Sequence, residues 1–270
     1  MLERPLITLT TDFGLKDPFV GLLKGVILGI NPNAKIIDLS HKIQPHNIFE
    51  ASHVLAMSYD YFPPATINLA VVDPGVGGSR RPILVITENH YFIGPDNGIF
   101  TNIFNKYETS HFFKVIHITA SHYFRPMKGT TFHGRDIFAP VAAYMSKGLE
   151  PDKLGEPITD YIKLDIPRCS LTADNELKGE IVSADHFGNA ISNISFEELA
   201  GLGSAVEMHM LKAVYKGQEL QIVNSYSENI EDGLAAIVNS FGHIELFANQ
   251  KSAALIFDIK IGDSVIISLT

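Results

Sequence analysis

The stretch "ATINLAVVDPGVGGSRRP" (Ala65–Pro82) decides how the chain is read. An apolar run ends in a carboxylate, Asp73, then a proline and a glycine-rich turn, and Arg80 and Arg81 follow. The run reads as the third strand of a series. Upstream, "PLITLTT" (Pro5–Thr11) reads as a buried strand and "AKIIDLS" as a second. Between them "DPFVGLLKGVILGIN" carries Phe19, Leu22, Leu23, Val26 and Ile27 at helical spacing. Asp17 followed by Pro18 predicts an N-cap with proline at the first helical position. "NIFEASHVLAMSYDYF" predicts a second helix capped by Asn47. Strand and helix alternate, which predicts a largely parallel sheet flanked by helices. Downstream, "PILVITE" and "HYFIG" predict a hairpin, "DNGIFTNIFNK" a short helix and "FFKVIHIT" another strand. "GRDIFAPVAAYMSKG" predicts a helix ending at Gly148, with Pro140 in its first turns.

The character changes after Asp165. Residues 1–165 predict an α/β domain, the polar, turn-rich residues 166–178 a linker, and residues 179–270 a smaller β-rich domain. Its short segments "EIVSAD", "AVEMHML", "QELQIV", "AAIVNS", "HIELF" and "DSVIISL" are separated by turn signals. They predict a small antiparallel barrel or sandwich.

The 270 residues are 46% hydrophobic and 19% charged, as in ordinary globular proteins. The net charge of −9 argues against nucleic acid and anionic membrane surfaces as partners. The single cysteine, Cys169, excludes an internal disulfide and a cysteine-based zinc site within the chain. No apolar run approaches the roughly 20 residues of a membrane helix. The N-terminus has Glu3 and no hydrophobic signal region, so the expectation is a cytoplasmic protein.

Acid-bearing turns recur after the strands. "TTDFG" places Asp12, "VVDPG" Asp73 and "GPDNG" Asp96. In open parallel sheets the ligand crevice lies beyond the carboxyl ends of the strands, which brings Asp12 and Asp73 toward one crevice. The competing reading of each acid is a helix cap or an Asx turn. "TTFHGRDIFAP" sets His133, Arg135 and Asp136 ahead of a helix. A histidine there is a candidate acid, base or anion-binding group, or it satisfies a loop carbonyl. The 11 histidines are scattered singly without HExxH spacing, so no metal is expected. Neither a phosphate loop nor a dinucleotide fingerprint is present. In the second domain "ADHFGNAISNI" gathers Asp185, Phe187 and Asn189 around Gly188. Acid, aromatic and amide suit a zwitterion or a heteroaromatic ring. The competing reading is a hairpin turn with a buried phenylalanine. "NSFGHIELFANQKSAA" brings Ser240, Glu245 and Asn249 beside small residues and is also a glycine turn between strands.

Taken in order, "TTDFGLKDPFVGLLKG", "VVDPGVGGSRRP", "GPDNGIF", "TFHGRDIFAPVAA", "DHFGNAISNI" and "NSFGHIELFAN" resemble the S-adenosyl-L-methionine (SAM) hydroxide adenosyltransferases, the adenosine-forming SAM hydrolases related to fluorinases and chlorinases. The resemblance spans nearly the whole chain. It implies hydrolysis of SAM to adenosine and L-methionine, with SAM as substrate and no cofactor. It implies a homotrimer, or a pair of trimers, with SAM bound between the N-terminal domain of one subunit and the C-terminal domain of its neighbour. It maps a water-holding trio onto Asp73, Arg80 and His133. In that scheme the proton passes to Asp73 directly, or Asp73 orients the water while His133 relays it. Asp12 would accept the ribose hydroxyls. Asp185 and Asn189 would hold the methionine ammonium and carboxylate end, with Ser240 on the carboxylate. Phe187 would pack on the adenine or ribose, and Asn249 would lie near the adenine edge. The chain departs from the fluorinase pattern in three places. Gly134 stands where a serine contacts halide, Phe241 where an arginine follows the serine, and His46 where an aromatic lines the sugar pocket. The alternatives are a SAM-dependent halogenase and a non-catalytic SAM or adenosine sensor.

Overall fold

The computed structural model describes residues 6–127, 129–202, 208–228 and 233–269. The chain separates into two compact units, Met1–Asp165 and Ile166–Thr270.

The first unit runs β1 (Leu6–Thr11), α1 (Phe19–Ile30), β2 (Lys35–Ser40), α2 (Ile48–Ser58), β3 (Thr66–Val71), β4 (Pro82–Ile86), β5 (His90–Pro95), α3 (Thr101–Tyr107), β6 (Lys114–Ile118), α4 (Ala139–Ser146) and β7 (Gly155–Ile158). The sheet order is β2-β1-β3-β5-β4-β6-β7. β1, β2, β3 and β5 pair in parallel, while β4 and β7 reverse, so five of the seven strands point one way. Every residue of β3 is buried because both faces of the sheet are covered. Ile67, Leu69 and Val71 enter a core shared with Leu23 and Ile27 of α1 and Val141 and Ala142 of α4. Ala70 and the following Val72 face the opposite core, with Leu55 of α2 and Phe104 of α3. The result is a three-layer α/β/α unit.

Asn47 caps α2, its side chain accepting from the Glu50 N–H at 3.0 Å. Asp17 does not cap α1. Pro18 occupies the N-cap position, and no side-chain cap bond forms. The helix expected from Gly134 is divided. Residues Gly134–Phe138 form a π-helical turn, in which the Ala139 N–H reaches the Gly134 carbonyl, and α4 follows. Pro140 follows the π-helical turn without a break, and the Asp136 carbonyl that an α-helical N–H at 140 would take accepts instead from the Arg125 N–H at 2.9 Å.

The second unit runs β8 (Ser170–Leu171), β9 (Leu177–Ala184), β10 (Ala190–Ser195), α5 (Phe196–Leu199), β11 (Leu211–Tyr215), β12 (Gln218–Val223), β13 (Leu234–Val238), β14 (His243–Ala248), α6 (Ala253–Ile256) and β15 (Ser264–Leu269). Neighbours follow the order β10-β14-β13-β12-β11-β15-β9, and a β9–β10 pairing closes the ring into a barrel of seven strands among the described residues. Its pairings are antiparallel except β12–β13, which is parallel. Alternate residues of β14, Ile244, Leu246 and Ala248, fill the barrel interior with Ile181, Ala190 and Val265. The segment 166–178, expected as linker, belongs to this unit, and its β8 pairs with the start of β9. In "AVEMHML", expected as a strand, residues 205–207 lie outside the described residues, Met208–Met210 form a 3-10 turn, and the strand starts at Leu211. No helix among the described residues is long and apolar enough to cross a membrane.

Candidate active site

β1 and β3 are parallel neighbours, so Asp12 and Asp73 leave the same edge of the sheet side by side. Both line a cavity of about 630 Å3 in the first unit, together with His46, Phe132 and His133. One Asp12 oxygen accepts the His46 backbone N–H at 2.9 Å. The His46 backbone is left-handed, at φ 69°, which turns that N–H toward the acid.

Asp73 and Arg80 are nearly sealed, with side chains 4% and 8% exposed. Arg80 Nε donates to both Asp73 oxygens at 3.1 and 3.0 Å, and Nη2 also donates to Oδ2. The same Nη2 lies 2.6 Å from Nδ1 of His133. Burial, and secondarily the Arg80 charge, push the His133 pKa below the ordinary imidazole value, so the ring is neutral at pH 7. The glycine-rich turn explains how Asp73 and His133 come so close. Gly77 has φ +79°, and a Cβ there would lie 2.8 Å from the Thr130 carbonyl oxygen. Only a bare residue lets the loop after β3 pack against the loop that carries His133. Asp96, the third acid-bearing turn, has a structural role. It is 1% exposed, and its oxygens accept from Arg81 at 2.7 Å and from the Ile162 N–H at 2.8 Å. Asp136 is likewise clamped by Arg135 at 2.7 Å.

The second unit has its own cavity of about 630 Å3, lined by Asp185, Phe187, Asn189, Ser240 and Asn249. Asp185 closes the β9–β10 hairpin. Oδ1 accepts the Phe187 and Asn189 N–H groups, both at 2.9 Å, and Oδ2 accepts the Asn189 amide at 3.2 Å. The hairpin-turn reading therefore holds for Asp185. Phe187 is not buried in this turn; it is 75% exposed, a flat apolar face at the cavity. Gly188 has φ +83°, and a Cβ there would lie 2.6 Å from Ser252 Cβ and 3.0 Å from its Cα. Gly188→Ala is expected to cost about 3 kcal/mol, left-handed strain plus overpacking, read as a lowered urea midpoint. A loss under about 0.5 kcal/mol would contradict this packing.

Glu245, noticed in the sequence but given no role, is 3% exposed and lines the second cavity. One oxygen accepts from the Tyr226 hydroxyl at 2.8 Å and the other from the Asn239 amide at 3.2 Å. Burial raises the Glu245 pKa, and burial plus this bond push the Tyr226 phenol up to about 12. Asn239 Oδ1 in turn accepts the Phe241 and His243 N–H groups, fixing the turn that presents Ser240. The sequence signal was an acid between apolar neighbours in mid-strand.

The two halves of the chain match the models of the SAM hydroxide adenosyltransferase N-terminal domain, over residues 7–155, and C-terminal domain, over residues 179–266. The chain belongs to the SAM hydroxide adenosyltransferase family. It is 34% identical to an (R)-S-adenosyl-L-methionine hydrolase of Methanocaldococcus jannaschii, with 96% of this chain and 94% of that one covered. Likeness to a fluorinase of Nocardia brasiliensis is lower, at 23% identity over 97% and 96% of the two chains. Among solved structures, an uncharacterized conserved protein from Thermotoga maritima superposes with a TM-score of 0.88 at 34% identity, covering 97% of this chain and 99% of that one. Within the family frame, Asp12, Asp73 and His133 line one cavity with Arg80 directly behind them, and the second-unit residues line the other.

Burial sets the pH response of stability. His90, His117, His133 and His243 all have pKa values lowered first by burial. The unfolded chain therefore takes up protons at these sites first, at its ordinary value of about 6.5. Stability is full above that value and is lost as pH falls toward the folded-state pKa values. The urea midpoint is expected to be lower at pH 5 than at pH 7.5, and an equal or higher one would contradict this.

Proposed function

We infer that this protein hydrolyses SAM to adenosine and L-methionine, by in-line attack of water on ribose C5′. The observation that carries the reading is the contact of Arg80 with both Asp73 and His133, beside a cavity that Asp73, His133 and Asp12 line. The chemistry suits such a site. A sulfonium leaves as a neutral thioether, so methionine needs no proton from the protein. C5′ is a primary carbon open to displacement. The slow element is the weak nucleophile, and fixing a water in line can contribute up to roughly 7–11 kcal/mol in ideal cases. As the C5′–O bond forms, the C5′–S pair passes to sulfur and the water loses a proton to the trio. A carboxylate is well suited to accept the two ribose hydroxyls, which is the role of Asp12.

In the second unit, Asp185 and Asn189 hold the amino-acid end of the substrate with Ser240, Phe187 packs on the adenine or ribose, and Asn249 meets the adenine edge. The cavity these residues line, beside an exposed Phe187, supports this assignment. The functional unit is a homotrimer, or a pair of trimers, in the cytoplasm, with each site shared between neighbouring subunits. Water rather than halide is favoured at Gly134, where an added Cβ would press to 3.3 Å from the Phe132 ring. Product analysis in chloride and in chloride-free buffer tests the reading. Adenosine and methionine are expected in both. A 5′-chloro product would support the halogenase reading, and tight SAM binding without methionine release the sensor.

A further inference from the structure

The turn that carries Asp12 is tied down by a histidine outside the first-unit cavity. His41 follows β2 in the loop that leads to α2, and both it and Thr11 are buried. Its Nδ1 lies 2.8 Å from the hydroxyl of Thr11, the residue just before Asp12. The Thr11 oxygen also accepts the Phe13 N–H at 3.2 Å, so one hydroxyl spans the acid from the residue before it to the residue after it. The His41 carbonyl accepts the Gly14 N–H at 2.8 Å. Further along the same loop, the His46 N–H donates to Asp12 itself. The loop thus grips the turn over residues 11–14 through a side chain, a carbonyl and an N–H. Strand pairing does not supply this grip: the parallel β1–β2 register shifts between Leu9 and Thr10, and its last pair is Thr10 with Ser40.

The partners set where the protons lie. One Asp38 oxygen is 3.0 Å from His41 Nε2, and Lys24 Nζ is 2.6 Å from the other. Burial opposes the Asp38 charge, but the bonds from Lys24 and His41 outweigh it and lower the pKa. A lone pair on Nε2 would face a charged oxygen, so Nε2 carries the ring proton, although its N–H is not aligned on that oxygen. A neutral imidazole then has its lone pair on Nδ1, where it accepts the Thr11 O–H. With a proton on Nδ1 instead, the buried Thr11 hydroxyl would have no acceptor among the described residues.

We propose that His41 is a positioning residue for ribose recognition, accepting the Thr11 hydroxyl so that the turn after β1 holds Asp12 aimed at the sugar diol. The inference rests on the ribose role given to Asp12 in the hydrolase reading. His41 does not touch the substrate in this scheme. Asp12 and His46 line the first-unit cavity, and neither Thr11 nor His41 is among its lining residues. Asp38 and Lys24, at the half-exposed outer end of the chain of contacts, orient the ring.

The test is calorimetric binding of adenosine and of 2′-deoxyadenosine to the full chain, which involves no turnover. The parent should prefer adenosine by about tenfold or more, the scale of one lost hydrogen bond to a carboxylate. Thr11→Val keeps the branched shape and removes the hydroxyl, and the preference is expected to fall below about threefold. Thr11→Ser keeps the hydroxyl and should retain the parental preference. His41→Leu should match Thr11→Val, and His41→Asn, whose amide oxygen takes the place of the Nδ1 lone pair, should match Thr11→Ser. Urea midpoints are measured on the same variants. A lowered midpoint with the parental preference intact in Thr11→Val would make the contact merely structural and overturn the proposal. Should His41→Leu not fold, Thr11→Val alone decides. A parent with no preference for adenosine removes the ribose role of Asp12 and the proposal with it. A parent that prefers adenosine yet consumes no SAM would sink the hydrolase reading, while the Thr11 variants still decide the part played by His41.

Discussion

Asp73→Asn is expected to lower kcat on SAM by about 1,000-fold, within the range for loss of a positioned proton acceptor. The substitution keeps the size of the side chain and removes its charge. In the native arrangement both Asp73 oxygens accept from Arg80, and the side chain is 4% exposed. An amide must turn an N–H2 group toward either the guanidinium or the cavity. Turned to the guanidinium, it faces donor with donor. Turned to the cavity, it offers the water no acceptor. The substrate contacts proposed for Asp12 and the second unit would be untouched, so KM should stay within about threefold, since uniform binding is retained. Steady-state kinetics on a variant with a parental urea midpoint checks this. A kcat within tenfold of the parent would remove Asp73 from the chemistry.

Asp12→Ala should lose about 100-fold or more in kcat/KM, mostly in KM. Hydrogen bonds to a charged partner contribute about 1.5–3 kcal/mol each, and a ribose diol offers two. The interactions exist before and during the reaction, so their loss weakens ground state and transition state alike. The left-handed His46 backbone loses an acceptor for its N–H, which adds to the cost. An analogue lacking the 2′-hydroxyl separates the causes. The parent should discriminate strongly against it, and the Asp12→Ala variant should not. Equal discrimination by both would mean that Asp12 does not touch the ribose.

The parallel half of the first unit was legible because each apolar run ended in a turn acid and alternated with an amphipathic segment. β3 announced itself by the density of its apolar residues, which two covered faces require. β7 was not legible. It is four residues long and contains Pro157, tolerable only because the strand lies at the sheet edge. β10 was hidden by Ser192 and Asn193, whose side chains bond to the Ile244 and Pro167 carbonyls and so read as loop chemistry. The parallel β12–β13 pairing has no local signal, because the barrel closure that imposes it is set by distant strands.

At the site, strand polarity alone pointed to Asp12 and Asp73 sharing a crevice. Spacing could not show that Arg80 folds back onto Asp73 or reaches His133; that expectation came from the family resemblance. Nor could it show that Arg80 lies behind the cavity rather than in it, which depends on Phe138 taking the guanidinium face. Glu245 was passed over because an isolated acid in a strand is usually solvated, and its burial depends on Tyr226 and Asn239 arriving from other segments.

The central claim is that water, seated beside Asp73, displaces methionine from C5′. Its most direct test is one turnover of the parent protein with SAM in 18O-enriched water, followed by mass analysis of both products. Adenosine is predicted to carry the heavy oxygen at its 5′ position and methionine none. Label-free adenosine, heavy oxygen in methionine, or a 5′-halogenated nucleoside would contradict the account.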